Sequence, residues 1–422
     1  MCPTDVINAI YLMSNFILSN NLKNMAEDSN LNIAIISYHF SEDGRFYNSR
    51  PLLVYQVIKK WSNFNKISVY CSNFDHFKKS HVSFINEDYK AIKVPAYKKN
   101  ISFMRLFSYT IFSLKLLANL ELKQYDIIYI CVPPNSSAFV GLLYKAMFNK
   151  LVVIDVVDLW PEGFPLSQTI KVFIEILTKP LRNLLFKQAD LILTQSDYFR
   201  DKLNFSGSKC KTLIMGSSIQ PVVESQLQES LKDCIRLLYL GSLNTIIDID
   251  SLVEIIRKLA KYRKVHLTVI GGGERLEYLQ EEIKNINLNV TTAFYGICFD
   301  SEIKEKEFSK AHFGYNGYID STEIALSYKS LEYLANGIPL LNSTKGDTAN
   351  LVKETGCGFN FHSRDIDALA AKILALDDNT HATIKTRAIE VFESNFSWAV
   401  FQERLSSLLE DILQYKSIVR NV

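Results

Sequence analysis

Apolar and polar positions along this chain follow two alternating periods. From Leu31 onward, short unbroken apolar runs bounded by turn residues alternate with segments of helical spacing. LNIAIIS (31–37), KISVYC (66–71), DIIYICV (126–132), LVVIDVV (151–157) and DLILTQS (190–196) read as strands, and YKAIKVPAY (89–97) contains another. SRPLLVYQVIKKW (49–61) has helical spacing, with Leu52, Tyr55, Val57, Ile58 and Trp61 as its buried stripe. Further helices are predicted over 101–120, 137–148 and 172–188, the last with Pro180 as a kink or break. Near-continuous Val/Ile/Leu runs predict strands covered on both faces, as in parallel sheets.

The alternation pauses at PVVESQLQESLKD (221–233), a polar segment that reads as a linker, and then restarts. Strands are predicted at 235–241, 265–273, 290–296, 338–343 and 358–361, with helices at 250–262 and 274–284 and further helical segments between the later strands. Two such series imply two doubly wound α/β domains, at 31–222 and 233–390. Residues 1–30 form an N-terminal extension. Residues 391–422 carry a strongly periodic helix (397–413), expected to cross back to the first domain.

A length of 422 residues suits two domains. With 48% apolar and 22% charged residues, intrinsic disorder is excluded. A net charge of +2 gives no global positive field for nucleic acid. Seven cysteines without a CxxC argue against a disulfide framework or a cysteine zinc site, and fit a reducing cytoplasm. The absence of any 18-residue uncharged apolar run argues against a transmembrane helix. The apolar stretch Val6–Leu18 is short, polar-interrupted and without a basic leader, so residues 1–24, ahead of Met25, are expected to be dispensable.

Candidate chemistry lies at the predicted strand ends. The first strand is followed by SYHFSEDGRFYNSR (37–50), whose one glycine is Gly44. The dinucleotide fingerprint is absent, and no P-loop occurs elsewhere, which counts against a dehydrogenase or P-loop nucleotidase. Gly44 can still turn the backbone tightly near a ligand. Gly241-Ser242-Leu243 and Gly271-Gly272-Gly273-Glu274 end strands of the second series, where parallel sheets bind ligands and helix starts favour phosphates.

STEIALSYKSLEYLANGIPLLNS (321–343) predicts a helix from Ser327 to Ala335, stopped by Asn336-Gly337. Lys329 and Glu332, three apart, share a helix face outside the core. The lysine suits a diphosphate and the carboxylate a ribose diol; a surface Lys–Glu pair has the same spacing. His39, just after the first strand, has the intrinsic pKa of a general base, although a structural histidine fits there too. Asp43 shares that loop. The Asp-x-Asp segments at 248–250 and 365–367 start helices, so no catalytic metal is expected. In the helix at 101–120, Ser102, Arg105, Ser108, Lys115 and Asn119 gather on one side of a broad apolar surface, after Lys93, Lys98 and Lys99. That pattern fits either burial against the sheet or attachment to an anionic membrane.

Together, SYKSLEYLANGIPLL, VVDLWPE (156–162), ADLILTQSDYFRDKL (189–203), LIMGSS (213–218), LLYLGSL (237–243) and LTVIGGGE (267–274) resemble GT-B glycosyltransferases, in the family's order from Asn32 to Leu413. They are most similar to family 4-like bacterial transferases of capsule, O-antigen and exopolysaccharide synthesis. The resemblance implies two Rossmann-like domains facing across a cleft, the donor mainly in the second and the acceptor mainly in the first. It implies sugar transfer from a nucleotide-sugar, which is substrate rather than cofactor, to a glycan acceptor expected to be lipid-linked. The enzyme would be metal-independent and cytoplasmic, with peripheral contact at the inner face of the plasma membrane.

Glu332 resembles the second glutamate of the family's E-x7-E motif. The first would fall on Ile324, with Glu323 one residue early as the donor-sugar contact. Asp158 matches the aspartate of DLWPE, and Gly44 and Arg45 are placed like the acceptor-side loop. Gly241, Ser242 and Gly272 would border the donor. GSLNTIID (241–248) lacks the family's Arg and Lys, so Lys329 is expected to supply that charge. The alternatives are a nucleotide-sugar epimerase of similar architecture and a non-catalytic glycan-binding subunit that kept the fold.

Overall fold

The computed structural model describes residues 31–41, 50–61, 64–76, 78–99, 102–162, 168–205, 209–217, 219, 229–286, 289–298, 300–322 and 324–420. Gly44, Arg45 and Glu323, the extension at 1–30, and 221–228 of the polar linker lie outside the described residues. The chain divides into two compact units. One takes Met1–Asp158, Pro180–Leu193 and Leu409–Val422; the other takes Leu159–Lys179 and Thr194–Leu408.

The first sheet contains β1 (Leu31–Ser37), β2 (Phe64–Ser72), β5 (Tyr89–Ile92), β6 (Ile127–Val132), β7 (Leu151–Val156), β8 (Leu191–Thr194) and β9 (Cys210–Thr212). Its order is β5-β2-β1-β6-β7-β8-β9, and β3 (Phe74–Asp75) and β4 (Ser80–His81) form a separate antiparallel hairpin. Central β1 runs parallel to both neighbours, with Ile35 opposite Val69 and Tyr129. Every residue of β6 and β7 is buried, as their apolar runs require. The helices of this part are α1 (Arg50–Lys59), α2 (Phe103–Leu117), α3 (Asn135–Phe148), α4 (Gln168–Phe186, continuous through Pro180) and α5 (Asp197–Leu203). All five residues of the predicted α1 stripe are buried.

Arg50, which opens α1, and Asp155 of β7 form a fully buried ion pair, Nε to Oδ2 at 2.6 Å. Tyr129 Oη donates to the same carboxylate at 2.5 Å. The pair fixes the start of α1 against β7, three residues before Asp158. Removing either partner would leave the other charge buried without compensation.

The second sheet is wholly parallel, in the order β12-β11-β10-β13-β14-β15. Its strands are β10 (Cys234–Leu240), β11 (Lys264–Ile270), β12 (Val290–Phe294), β13 (Phe313–Asn316), β14 (Leu340–Asn342) and β15 (Gly358–Asn360). The accompanying helices are α6 (Ile249–Ala260), α7 (Leu276–Lys284), α8 (Ser301–Lys310), α9 (Tyr328–Ala335), α10 (Asp347–Thr355), α11 (Ile366–Leu374), α12 (Asp378–Asn395) and α13 (Trp398–Arg420). Each Asp-x-Asp segment does open a helix, α6 and α11.

β13 is a central strand absent from the sequence reading. It has only four residues, FGYN, too few and too polar to form an apolar run. Gly314 lets the Tyr333 ring of α9 lie flat on it; a Cβ there would sit 2.5 Å from that ring.

Two helices turn apolar faces to solvent. α2 buries Tyr109, Phe112 and Leu116 but exposes Phe103, Leu106, Phe107, Leu114 and Leu117. Of its polar side, Ser108 is directed inward and Lys115 stays exposed, and the broad apolar surface is not simply buried against the sheet. Ser108 is buried beside Tyr38 Oη at 2.6 Å, and Arg105 donates to Tyr109. α4 is inverted in the same way. Val172, Phe173, Ile176, Leu177, Leu181 and Leu184 are 44–67% exposed, whereas Arg182 is buried.

Candidate functional site

In the second unit, the candidate site is built over the carboxyl ends of β10, β11 and β13–β15. Two strand-end turns pack backbone to backbone. Gly241 N donates to Ile270 O and Leu243 N to Gly272 O, both at 2.9 Å. A Cβ on Gly271 would lie 1.9 Å from Gly241 O, and one on Gly273 2.3 Å from Leu243 O. The glycines therefore allow two backbones to touch. Gly241 has φ of +115° and nothing within 4 Å of a would-be Cβ, so it borders open space. Its N–H, however, is already committed to Ile270. Ser242 is exposed, and its carbonyl accepts from Tyr239 Oη at 2.8 Å.

Three asparagines end adjacent strands in register, two buried and one exposed: Asn316 lies opposite Asn342, and Asn342 opposite the exposed Asn360. Asn316 Nδ2 donates to Asn342 Oδ1, and Asn342 Nδ2 to Asn360 Oδ1, each at 2.8 Å. At the inner end of this ladder, Ser327 Oγ donates to Asn316 Oδ1 at 2.7 Å and accepts from Ser330 N as the cap of α9. The ladder thus fixes where α9 begins. The helix stops as its sequence predicts, with Gly337 at φ of +62° and Ile338 N donating to Tyr333 O at 2.8 Å.

Lys329, in the first turn of α9, is 7% exposed, which corrects the expectation that it lies outside the core. Its Nζ sits 4.5 Å from the Tyr239 ring centre and 4.3 Å from that of Tyr318. Among the described residues no carboxylate pairs with it. Burial lowers its pKa to about 7. Its place at a helix N-terminus adds an unfavourable dipole. Two aromatic faces offset part of that cost. An anion brought to this amine would pair with it and with the helix end together.

Glu332 does not pair with Lys329. Its half-buried carboxylate accepts from Lys304 Nζ of α8 at 2.5 Å. A ribose diol at Glu332 would therefore share or displace that lysine.

In the first unit, a second cluster surrounds the carboxyl ends of β1, β2 and β7. His39 is half-buried, with Nε2 2.8 Å from Tyr109 Oη. Its pKa falls well below 6.5, first through burial and then through His76, Arg105 and Lys79. That makes it a weaker base than its intrinsic value suggests. Asp158, beyond β7, is solvent-accessible but recessed. Burial raises its carboxyl pKa, and Arg105 pulls it back. Arg105 thus acts electrostatically on both His39 and Asp158.

Sequence reasoning missed Tyr239, Tyr318, the asparagine ladder, Arg105 as a site residue, and Tyr109. One signal was present: FGYN, LLN and GFN all end on asparagine. Among the described residues, no group of His, Cys, Asp and Glu could hold a metal ion, and no helix is long and apolar enough to cross a membrane.

Residues 234–379 match the family model described as Glycosyl transferases group 1. No curated protein matches the chain. Among solved structures, sucrose-phosphate synthase from Thermosynechococcus elongatus is similar at 18% identity, over 91% of this chain and 100% of that one, with a TM-score of 0.65. Anabaena Alr3699/HepE in complex with UDP-glucose is similar at 15% identity, over 90% and 100%, with a TM-score of 0.60. A glycosyltransferase from Rickettsia africae is similar at 14% identity, over 92% and 99%, with a TM-score of 0.62. At these identities the likeness is one of fold. Residues 234–379 therefore resemble the group 1 glycosyl transferases, and the chain's two Rossmann-like domains share the GT-B fold of these structures.

Proposed function

We propose that the protein transfers a sugar from a nucleotide-sugar to a lipid-linked glycan acceptor during bacterial surface polysaccharide synthesis. Lys329 carries this reading. It is a buried amine without a carboxylate partner among the described residues, at the start of a helix over the carboxyl end of a parallel sheet. Lys329 and the α9 N-terminus meet the charge of the donor diphosphate in place of a metal. Glu332 holds the ribose, and Gly241, Ser242 and Gly272 border the nucleotide. Glu323 contacts the donor sugar. Asp158 and His39 serve the acceptor side together with Gly44 and Arg45. No separate cofactor takes part.

The exposed apolar faces of α2 and α4 support a cytoplasmic enzyme resting on the inner face of the plasma membrane. Residues 98–123, 135–150 and 168–188, which include α2, α3 and α4, carry eleven basic and two acidic side chains, against near balance over the whole chain. Arg182 is buried and Arg105 is turned inward, and the excess among the remaining basic side chains complements an anionic surface.

A thermal-shift screen over UDP-, GDP-, ADP- and TDP-sugars tests the donor reading, since a ligand that binds the native state raises Tm. The Anabaena complexes with UDP and UDP-glucose make uridine the first base to test. One series should stabilise the protein, and that donor should be slowly hydrolysed. No stabilisation by any of the four would overturn the reading. Binding without hydrolysis would favour the non-catalytic subunit, a reading supported by the Lys304–Glu332 pair and the missing Arg and Lys in 241–248.

A further inference from the structure

His39 Nδ1 is buried and has no hydrogen-bond partner among the described residues. The ring's other nitrogen, Nε2, is 2.8 Å from Tyr109 Oη. Arg105 Nε donates to that same phenol oxygen at 2.8 Å, and its guanidinium lies 5.2 Å from the Tyr109 ring centre. A guanidinium can only donate. One lone pair of the Tyr109 oxygen is therefore engaged by a cation. Electron withdrawal by that cation strengthens Tyr109 O–H as a donor and weakens the oxygen as a second acceptor. A phenol proton directed to His39 Nε2 leaves the imidazole proton on Nδ1.

The described surroundings disfavour a second proton on this ring. Tyr38 and His76 pack edge-on against it, each at 4.9 Å between ring centres. His76 Nδ1 is 2.7 Å from Tyr97 Oη, and Lys79 lies 5.0 Å above the Tyr97 ring. Arg105, Lys79 and His76 thus surround His39 with groups that oppose a second proton. A buried N–H lacking an acceptor is costly, and a ligand oxygen placed there removes the cost.

We propose that His39 Nδ1–H donates a hydrogen bond to an oxygen of the acceptor sugar, and that Tyr109 and Arg105 are positioning residues that set this tautomer. His39 is then a binding donor rather than the general base. This rests on the transferase reading, but its first test needs no substrate.

Full-length protein labelled with [15N]histidine gives the tautomer directly from two-bond 1H–15N spectra, with His39 assigned by its loss in His39→Asn. The expected result is a proton on Nδ1 that persists from pH 5 to 8. Tyr109→Phe, which retains the ring but not the donor, should move the proton towards Nε2. A proton on Nε2 in the wild type, or titration of His39 near pH 6.5, would overturn the proposal. Turnover gives the second test. Asparagine places an amide N–H near the Nδ1 position, so His39→Asn should lose no more than about 10-fold in kcat/KM and His39→Leu more. Loss of a general base costs about 10²–10⁴-fold, and equal losses of that size in both variants would also overturn it. If no donor binds at all while the tautomer is as expected, the transferase reading fails and the tautomer assignment stands.

Discussion

Replacing Lys329 with methionine separates what that residue costs the fold from what it gives the ligand. Methionine keeps the length and apolar body of the lysine stem and removes the amine. The folded pKa of about 7 lies below the ordinary 10.5, so the unfolded chain binds more protons between those values. Stability therefore rises with pH across that window, and the whole penalty is present below pH 7. At pH 7.5 it amounts to about 4 kcal/mol as an upper figure, since one pKa unit is about 1.4 kcal/mol. Without ligand, Lys329→Met should be more stable than wild type by about 2–4 kcal/mol, or roughly 5–10 °C in Tm. The gain should shrink as pH rises towards 10. The same variant should bind the nucleoside diphosphate roughly 10-fold or more weakly while binding the nucleoside unchanged. Urea titrations from pH 6 to 10, with calorimetric titration of UDP and uridine or the matching pair, measure both. A variant no more stable than wild type, with its diphosphate preference intact, would refute the reasoning.

Glu332→Gln should lower nucleotide affinity roughly 10- to 100-fold in the same titrations, because charge-assisted hydrogen bonds contribute about 1.5–3 kcal/mol. Its partner Lys304 is about a quarter exposed, so unfolding stability should change by less than about 1 kcal/mol. Asn342→Leu should destabilise the second unit by about 2–5 kcal/mol in urea titration, because it leaves Asn316 and Thr344 with broken hydrogen bonds. Liposome flotation should increase with anionic lipid and weaken with salt. Phe173→Glu with Leu177→Glu should reduce it sharply, while recovery in the soluble fraction under every condition would remove the membrane reading.

The sequence disclosed what depends on local period and hid what depends on long-range contact. Runs such as IIYICV and LVVIDV have to be doubly covered strands, and β6 and β7 are buried throughout. β13 escaped because four residues carry no period, and its place is set by hydrogen bonding to β10 and β14. The helix from Ser327 and its glycine stop were legible because caps are local chemistry. Lys329 looked like a surface residue because helical spacing does not show what lies above the first turn. The rings of Tyr239 and Tyr318 come from 90 residues upstream and from the loop after β13. The apolar faces of α2 and α4 were read in outline, but only packing shows which face is outward. His39 was visible as a residue; its dependence on Tyr109 and Arg105 requires α2 to be packed on β1.

Proton uptake on diphosphate binding tests the central claim most directly. At pH 8.5 the Lys329 amine is almost wholly neutral in the ligand-free protein, given its pKa of about 7. A diphosphate held against it should return the pKa to its ordinary range, so binding takes up about one proton. Calorimetric titration in two buffers of different ionisation enthalpy counts that proton. The account predicts about one proton for wild type and none for Lys329→Met. No uptake by wild type, or equal uptake by both, would contradict it.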